Sequence, residues 1–175
     1  IMSELRTNRI VPRDGLPSGS SGGVIQVKSA TKTDGDFNTS SSSYVDVTGL
    51  SVSITPTRSD SKILIFATIH GVGDSSTQAY FRFMRDSTPI CIGDAAGNRK
   101  QMSGGYYQDN QAYVNTVNFS FLDSPATTSA CAYYPTFAHD SSQTKTYSIN
   151  RSGGDSDSAQ NARYMSSILL YEVSG

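Results

Sequence analysis

From residue 24 onward, apolar and polar residues alternate in short runs, which is the pattern of β-strands with one buried face. Leu50, Val52 and Ile54 are separated by single polar residues, and Pro56 ends that run. About ten runs of this kind follow one another, with connections rich in Gly, Ser, Asp and Asn between them. No segment shows a helical period with capping residues at its ends. The pattern therefore predicts an all-β chain built as an antiparallel sandwich or barrel.

Two segments make this prediction more specific. Residues 62–69 are almost continuously apolar, so we expect a central strand that is buried on both faces. Residues 79–85 and 88–93 flank a turn at Asp86 and Ser87, and we expect them to pair as a hairpin. The residues expected in the core occupy the apolar positions of the alternation: Val52, Ile54, Ile63, Ile65, Phe81, Phe83, Val117, Phe119, Phe121, Ile168 and Leu170.

Residues 1–23 have a different composition. Their apolar residues are separated by charges and by two prolines, so no helical period survives. Residues 18–23 contain only Ser and Gly, which is typical of a flexible linker. Such a segment cannot bury its apolar residues alone, and it is therefore either disordered or packed against a neighbouring chain. We divide the chain into an extended N-terminal arm with its linker, residues 1–23, and a β-sandwich head, residues 24–175.

Composition and charge exclude several classes of protein. Hydrophobic residues make up 36% and charged residues 17% of the chain, with 29 Ser and 16 Thr, which is unlike a coiled coil or helical bundle. The longest apolar run is far too short for a transmembrane helix, so we expect no membrane insertion. The net charge of −1 and the scattered Lys and Arg residues give no reason to expect a nucleic-acid partner. Because apolar residues are few, we expect part of the core to be completed between chains.

Residues that catalysis or metal binding would need are sparse. There are two histidines, no nucleophile motif surrounds any serine, and no cysteine–histidine spacing suits zinc. Asp155 and Asp157 form an acidic turn, which we interpret as plainly exposed, with a Ca²⁺ site as the alternative. Cys91 and Cys131 lie in apolar runs, which favours buried free thiols over a disulfide. We therefore expect no enzymatic activity, cofactor or metal.

Four connections are long and polar: residues 71–78, 94–112, 139–144 and 152–161. The second is the most distinctive, because tyrosines stand beside Gly, Ser, Asn and Gln, as in adaptable recognition surfaces. The alternative is a solvated loop whose tyrosines pack back onto the sheet. The sequence alone leaves both interpretations open.

Several segments together resemble fibre-like virion structural proteins of tailed phages, especially those of marine cyanobacteria. The final strand resembles the closing strand of C1q/TNF-like trimeric jelly rolls, through YMSSILLY at residues 164–171. The phage resemblance covers most of the chain, through SELRTNRIVPRDGLPSG at 3–19, GGVIQV at 22–27, YVDVTGLSVSITP at 44–56, SKILI at 61–65, RDST at 85–88, IGD at 92–94 and FLDSP at 121–125.

The resemblance implies a homotrimeric virion protein on the phage particle, with a jelly-roll-like head and no catalysis. The arm would attach to other virion proteins through Leu5, Ile10, Val11 and Leu16, and the head would bind a host surface glycan or protein. The alternative is a capsid decoration or head-fibre protein with an assembly role, and a carbohydrate-active enzyme is a third class. The predicted receptor-binding residues combine aromatic area with hydrogen-bonding groups: Tyr106, Tyr107, Asp109, Asn110 and Gln111, with His139 and Asp140 as a second group.

Overall fold

Twelve β-strands form two antiparallel sheets in the computed structural model, which describes residues 23–140 and 145–174. These residues contain no helix, and hence none long and apolar enough to span a membrane. The prediction of an all-β antiparallel sandwich is confirmed. The first sheet contains β1 (Val24–Lys32), β2 (Asn38–Thr39), β5 (Lys62–Gly73), β9 (Asn115–Asp123), β11 (Tyr147–Ile149) and β12 (Ser166–Val173). The second sheet contains β3 (Val45–Asp46), β4 (Val52–Ile54), β6 (Thr77–Arg85), β7 (Thr88–Ile90), β8 (Gly104–Gln108) and β10 (Cys131–His139).

The predicted N-terminal arm falls outside the residues that the structure describes, apart from Gly23 at its end. The division into an arm and a head therefore stays a prediction, although β1 begins at Val24, where the head is expected to begin. The role of the attachment residues also stays a prediction: Leu5, Ile10, Val11 and Leu16.

β5 is the central strand of the first sheet. Along one edge it pairs with β12 and then β11, and along the other edge it pairs with β9. Its side chains alternate, so that Ile63 and Ile65 point into the core whereas Phe66 is 45% exposed on the outer face. The expectation that residues 62–69 are buried on both faces is therefore wrong. No second layer of the described chain covers the outer side of this strand.

β6 is the central strand of the second sheet, with β10 on one side and β7 and β8 on the other. The predicted hairpin is confirmed, because β7 pairs with β6 across the turn at Asp86 and Ser87. Two of the predicted long connections are wrong. Only a short turn separates β5 from β6, and β8 lies inside residues 94–112. Gly71, Val72 and Gly73 extend β5 as buried positions, and β8 consists of the Gly, Tyr and Gln residues that the composition had assigned to a loop.

The core between the sheets is rich in aromatic rings. The ring centroids of Phe81 and Phe137 lie 5.3 Å apart, and those of Phe137 and Tyr147 lie 4.7 Å apart. Ten of the eleven predicted core residues are buried, and Phe121 is partly buried. Phe121 packs against this core from β9, on which Val117 and Phe119 are buried.

A buried carboxylate joins the two sheets. Asp123 of β9 accepts hydrogen bonds from the Arg85 guanidinium of β6, with both oxygens 2.8 Å from Nη1. It also accepts a hydrogen bond of 2.7 Å from the Tyr133 hydroxyl of β10. Because all three groups lie in or next to the core, the contact fixes the first sheet against the second.

A second buried carboxylate, Glu172 of β12, fixes the segment that follows β4. Its Oε1 accepts hydrogen bonds from the Thr57 amide and the Thr57 hydroxyl, both at 2.7 Å. Its Oε2 accepts a hydrogen bond of 2.6 Å from the Gln26 side chain of β1. Burial opposes ionisation of Glu172, but the hydrogen bonds outweigh burial and lower its pKa to about 2.

Cys91 and Cys131 are both free thiols, as predicted. Cys131 is buried in β10, whereas Cys91 is half-buried in the segment after β7, so its predicted burial is correct only in part. Burial raises the pKa of both thiols, which favours their neutral form at pH 7.

The sandwich has two distinct ends. Gly23 and Ser174 meet at one end, where the Ser174 amide donates a hydrogen bond of 3.4 Å to the Gly23 carbonyl. β5 begins at this end with Lys62 and runs to Gly73 at the opposite end. β10 terminates beside the start of β6, so Asp140 also lies at that opposite end. We call these the termini end and the distal end.

Candidate functional site

The outer face of the first sheet carries adjacent apolar side chains near the termini end. Directly paired residues of neighbouring strands point to the same side of a sheet. Val27, Tyr171, Leu64 and Leu122 are paired in one row across β1, β12, β5 and β9. Val27 is 50% exposed and Leu122 is 52% exposed. We call this surface the apolar face, and it consists of Val27, Leu64, Phe66, Leu122, Leu169 and Tyr171.

Toward the distal end, the same outer face becomes polar without becoming charged. Thr68 is paired with Ser167 and with Asn118, and its hydroxyl donates a hydrogen bond of 2.9 Å to the Asn118 side chain. Beyond this row, His70 stacks on Tyr164 with centroids 5.4 Å apart. On its distal side, the apolar face is therefore bordered by hydroxyl, amide and imidazole groups, whereas Lys62 lies on the same outer face toward the termini end.

The outer face of the second sheet is built from aromatic and cationic side chains. The Arg82 guanidinium lies 3.9 Å from the centroid of the Tyr44 ring. The Lys100 ammonium lies 5.4 Å from the centroid of the Tyr80 ring. Both distances are in the range of cation–π attraction. Hydrogen bonds from Tyr44 (3.2 Å) and Arg82 (3.0 Å) to the Gln101 carbonyl hold the segment before β8 against this face.

A groove of about 460 Å³ lies between that segment and the distal end of the second sheet. The Asp140 carboxylate is fixed at the rim of this groove, because its Oδ1 accepts a hydrogen bond of 2.9 Å from the backbone amide of Gln78. Burial raises the pKa of Tyr80, and the charge of Asp140 adds to that shift. We call this depression the aromatic groove, and it is lined by Gln78, Tyr80, Asn98, Arg99, Lys100, Met102 and Asp140.

The two cations of the aromatic groove are held by backbone carbonyls. Lys100 Nζ donates a hydrogen bond of 3.0 Å to the Ser42 carbonyl, and Arg99 Nη1 donates one of 3.2 Å to the Ala96 carbonyl. Within the described part of the chain, the ion pairs involve other residues. Arg99 and Lys100 therefore form no ion pair with a carboxylate of the described residues, although Asp140 lines the same groove.

The structure separates the two predicted tyrosines of residues 94–112. Both lie in β8, where side chains alternate between the two faces of the sheet. Tyr106 packs inward, with its ring centroid 6.2 Å from that of Phe81, and burial strongly raises its pKa. Tyr107 is 56% exposed and is paired with Gln78, which places it on the outer face beside the aromatic groove. The predicted receptor-binding group therefore contains one tyrosine that faces the core and one that faces outward.

The next three predicted residues lie in the turn between β8 and β9, away from the aromatic groove. Asp109, Asn110 and Gln111 are exposed there. The Asn110 side chain accepts a hydrogen bond of 2.8 Å from the Ala112 amide, which orders the turn. Gln111 lines a separate small recess beside Gly153.

The second predicted group is also divided. His139 is buried, with Nε2 2.9 Å from the Ser40 carbonyl and its ring stacked on Tyr147 at 5.7 Å. Asp140 is exposed and belongs to the aromatic groove. Sequence reasoning missed Tyr80 and Lys100, and the signal for Tyr80 was its position on the polar side of the β6 alternation.

The acidic turn after β11 is occupied by ion pairs. The Asp155 carboxylate lies 2.6 Å from Arg151 Nη1 and 2.6 Å from Arg163 Nη2. Two guanidinium groups therefore neutralise the residue that the calcium alternative would need as a ligand. In residues 23–140 and 145–174, no cluster of three or more His, Cys, Asp or Glu side chains is placed to hold a metal ion.

Comparisons with known proteins give no family. No protein-family model matches the chain, and no curated protein matches it. A solved structure described as "Structure of infectious bursal disease virus Gx strain" is similar to 98% of the chain, with 12% identity and a TM-score of 0.42. The chain spans 42% of the length of that viral chain. A likeness at this TM-score supports no conclusion about function, and the specific type of phage fibre stays a prediction.

Proposed function

We propose that this chain is a non-enzymatic structural subunit of a virus particle whose head associates as a homotrimer through the apolar face. The observation that carries the proposal is the apolar face, which spans four adjacent strands and leaves Val27, Phe66 and Leu122 about half exposed. An antiparallel sheet that faces water normally carries polar residues on its outer side. Exposed apolar surface of this kind marks a site of protein association.

Further copies of the same chain are the partner that fits this face best. The six residues of the apolar face are uncharged, and the neighbouring Lys62 on the same side of β5 donates a hydrogen bond of 2.9 Å to the Ser124 hydroxyl. The bordering Thr68, Asn118 and Ser167 offer hydrogen bonds around an apolar centre, as the rim of an interface does. Three copies arranged around one axis would bury every apolar face and form a closed assembly.

The arrangement of the two ends supports an attached, outward-pointing head. The chain enters the sandwich at Gly23, at the end that carries the apolar face. The aromatic groove lies toward the distal end, near Gln78 and Asp140. A virion attachment through residues 1–22 would leave the groove facing away from the particle, where a host surface glycan or protein is accessible.

The oligomeric state tests the first part of the proposal. We expect the full chain to sediment at three times its subunit mass at micromolar concentration. Phe66→Ser combined with Leu122→Ser should shift it to the monomer without changing the far-UV circular dichroism spectrum. The matched control is Tyr107→Ser, which alters an exposed aromatic residue of the second sheet and should leave the trimer intact. A wild-type monomer, or a trimer that survives the double substitution, would overturn the proposal.

Binding of fluorescently labelled full chain to host cells tests the second part. Saturable binding supports a receptor-binding head. A correctly assembled trimer that leaves host cells unlabelled would instead favour the capsid decoration or head-fibre role, in which the loops are passive.

A further inference from the structure

The aromatic groove combines a half-buried ring, that of Tyr80, with two cations that are already oriented. Lys100 is exposed, yet the Ser42 carbonyl holds its ammonium group over the Tyr80 ring. Arg99 is likewise exposed and is tied to the Ala96 carbonyl. Neither cation has a carboxylate partner within the described residues, so both keep their capacity to bind an anionic group. Fixing these side chains in advance lowers the entropic cost of binding.

The other side of the groove offers neutral and acidic hydrogen-bonding groups. The Gln78 side-chain oxygen accepts a hydrogen bond of 2.9 Å from the Tyr80 hydroxyl, so its NH₂ group is left as a donor. The Asn98 side chain can donate and accept hydrogen bonds, and the Asp140 carboxylate accepts them. A pyranose ring has one face of C–H groups that packs on an aromatic ring, and its hydroxyls suit amides and carboxylates. The groove therefore offers an aromatic ring for the C–H face of a sugar, amide and carboxylate groups for its hydroxyls, and cations for a negatively charged substituent.

We propose that the aromatic groove binds an acidic saccharide such as a uronic acid unit of a surface polysaccharide. The sugar ring packs on the part of the Tyr80 ring that Lys100 leaves uncovered. Its carboxylate pairs with Lys100 and Arg99, and its hydroxyls bond to Gln78 and Asp140. This inference deepens the host-binding part of the proposed function and rests on it. It does not depend on the apolar face, which lies on the other sheet.

Asp140 argues against a uniformly anionic ligand. Its carboxylate would repel a polyphosphate or nucleic acid that filled the whole groove, whereas an acidic sugar can turn its neutral hydroxyls toward Asp140. The volume of the groove also suits one or two sugar rings, because about 460 Å³ lies in the lower part of the range of small-ligand sites. An acidic peptide lacks a hydroxylated ring to place between Tyr80 and Asp140.

Titration of the full chain with a galacturonic acid trisaccharide, followed by NMR and calorimetry, tests the proposal. The carboxyl-reduced trisaccharide serves as the uncharged control ligand. Hexaglutamate tests whether an acidic peptide binds instead of a sugar. We expect saturable shifts of the amide signals of residues 78–80 and 98–102 with the acidic sugar. Its affinity should exceed that of the reduced sugar by about tenfold or more, because a charge-assisted contact is lost on reduction.

Substitutions assign the binding to the groove. Lys100→Gln and Arg99→Gln should each weaken the acidic sugar by about tenfold and leave the reduced sugar unaffected. Tyr80→Ser should weaken both sugars. Lys28→Gln, which removes an exposed lysine of β1 on the first sheet, is the matched control and should change nothing. Melting temperatures of all variants confirm that they are folded.

Three results would overturn the inference: equal affinity for the acidic and reduced sugars, tighter binding of hexaglutamate at the same residues, or no binding of any ligand at millimolar concentration. The oligomeric state and host-cell labelling are measured on the same samples. An intact trimer that labels cells but ignores the acidic sugar would remove this inference alone and leave the proposed function standing.

Discussion

The outer faces of the two sheets differ although the same strand alternation produces both. The second sheet covers much of its outer face with its own chain: residues 98–102 lie over it, and Arg82 and Lys100 cap the rings of Tyr44 and Tyr80. The first sheet leaves Phe66 and its neighbours without such a cover in the described residues. The comparison teaches that outward-facing aromatic rings can be covered by cationic side chains of their own chain, as on the second sheet. They can also stay uncovered and available to another chain, as on the first sheet, where the apolar face has no such cations.

Breaking the contact that holds the two sheets together should have the largest effect, because both faces depend on it. Asp123→Ala leaves the Arg85 guanidinium and the Tyr133 hydroxyl without their buried partner, which should lower the free energy of unfolding by about 3–5 kcal/mol. Urea denaturation measures it. Asp60→Ala, which removes an exposed ion pair with Arg58, is the control and should change the free energy of unfolding far less than Asp123→Ala. Equal losses for the two variants would contradict this account.

The neighbouring tyrosines of β8 compare the inside and the outside of the second sheet. Tyr106→Ala opens a cavity beside Phe81 and should destabilise the protein by about 2–4 kcal/mol. Tyr107→Ala removes an exposed ring and should change stability by less than about 0.5 kcal/mol. Thermal unfolding distinguishes them, and similar melting temperatures would show that β8 is placed wrongly. Because it spares the fold, Tyr107→Ala also tests the predicted receptor contact in a host-adsorption assay.

Acid should weaken the first sheet through Glu172, which neighbours Tyr171 of the apolar face. The pKa of Glu172 in the folded protein, about 2, lies below the ordinary glutamate value of 4.5, so ionised Glu172 stabilises the fold above pH 4.5. That contribution is lost as the pH falls from about 4.5 to about 2. The difference in unfolding free energy between wild type and Glu172→Gln, about 1–3 kcal/mol at neutral pH, should therefore shrink across this range. A difference that stays constant with pH would exclude the mechanism.

Salt should have the smallest effect, and it should act differently on ligand binding at the aromatic groove and on association through the apolar face. Raising the salt concentration from about 0.1 M to about 0.5 M screens Arg99 and Lys100 and should weaken acidic-sugar binding about threefold. Association through the uncharged apolar face should stay unchanged or become slightly tighter. Calorimetry and sedimentation measure the two responses on one preparation. If salt dissociates the trimer instead, its interface depends on charges outside the apolar face.

The fold was readable from the sequence wherever the information was local. The alternation around Val52 and Ile54, and the turn at Asp86, depend on neighbouring residues, and both predictions are confirmed. The exposure of Phe66 on the outer face could not be predicted from the sequence. Apolar residues on both faces of a strand predict burial on both sides, and the covering residues can belong to the same chain or to another. The sequence pattern cannot tell which chain supplies the cover.

The candidate site was harder to predict, because strand pairing decides it. Gly104 and Gly105 suggested a loop, but Gly105 lies so close to β6 that a Cβ there would be 2.3 Å from the Ala79 carbonyl oxygen. Glycine at this position permits the pairing of β8, which then turns Tyr106 inward and Tyr107 outward. The aromatic groove joins β6, the segment before β8 and the residue after β10, and no local pattern links these segments.

The contact between Gly23 and Ser174 has a consequence for engineering. Because a hydrogen bond joins the backbones of Gly23 and Ser174, the two ends of the head lie close together. The head can therefore be inserted into a surface loop of a carrier protein without moving the two sides of that loop apart. A short peptide that bridges the same two residues would equally allow a circularly permuted version, reopened at the acidic turn near Asp155. Such versions would display the groove on a scaffold of the experimenter's choice.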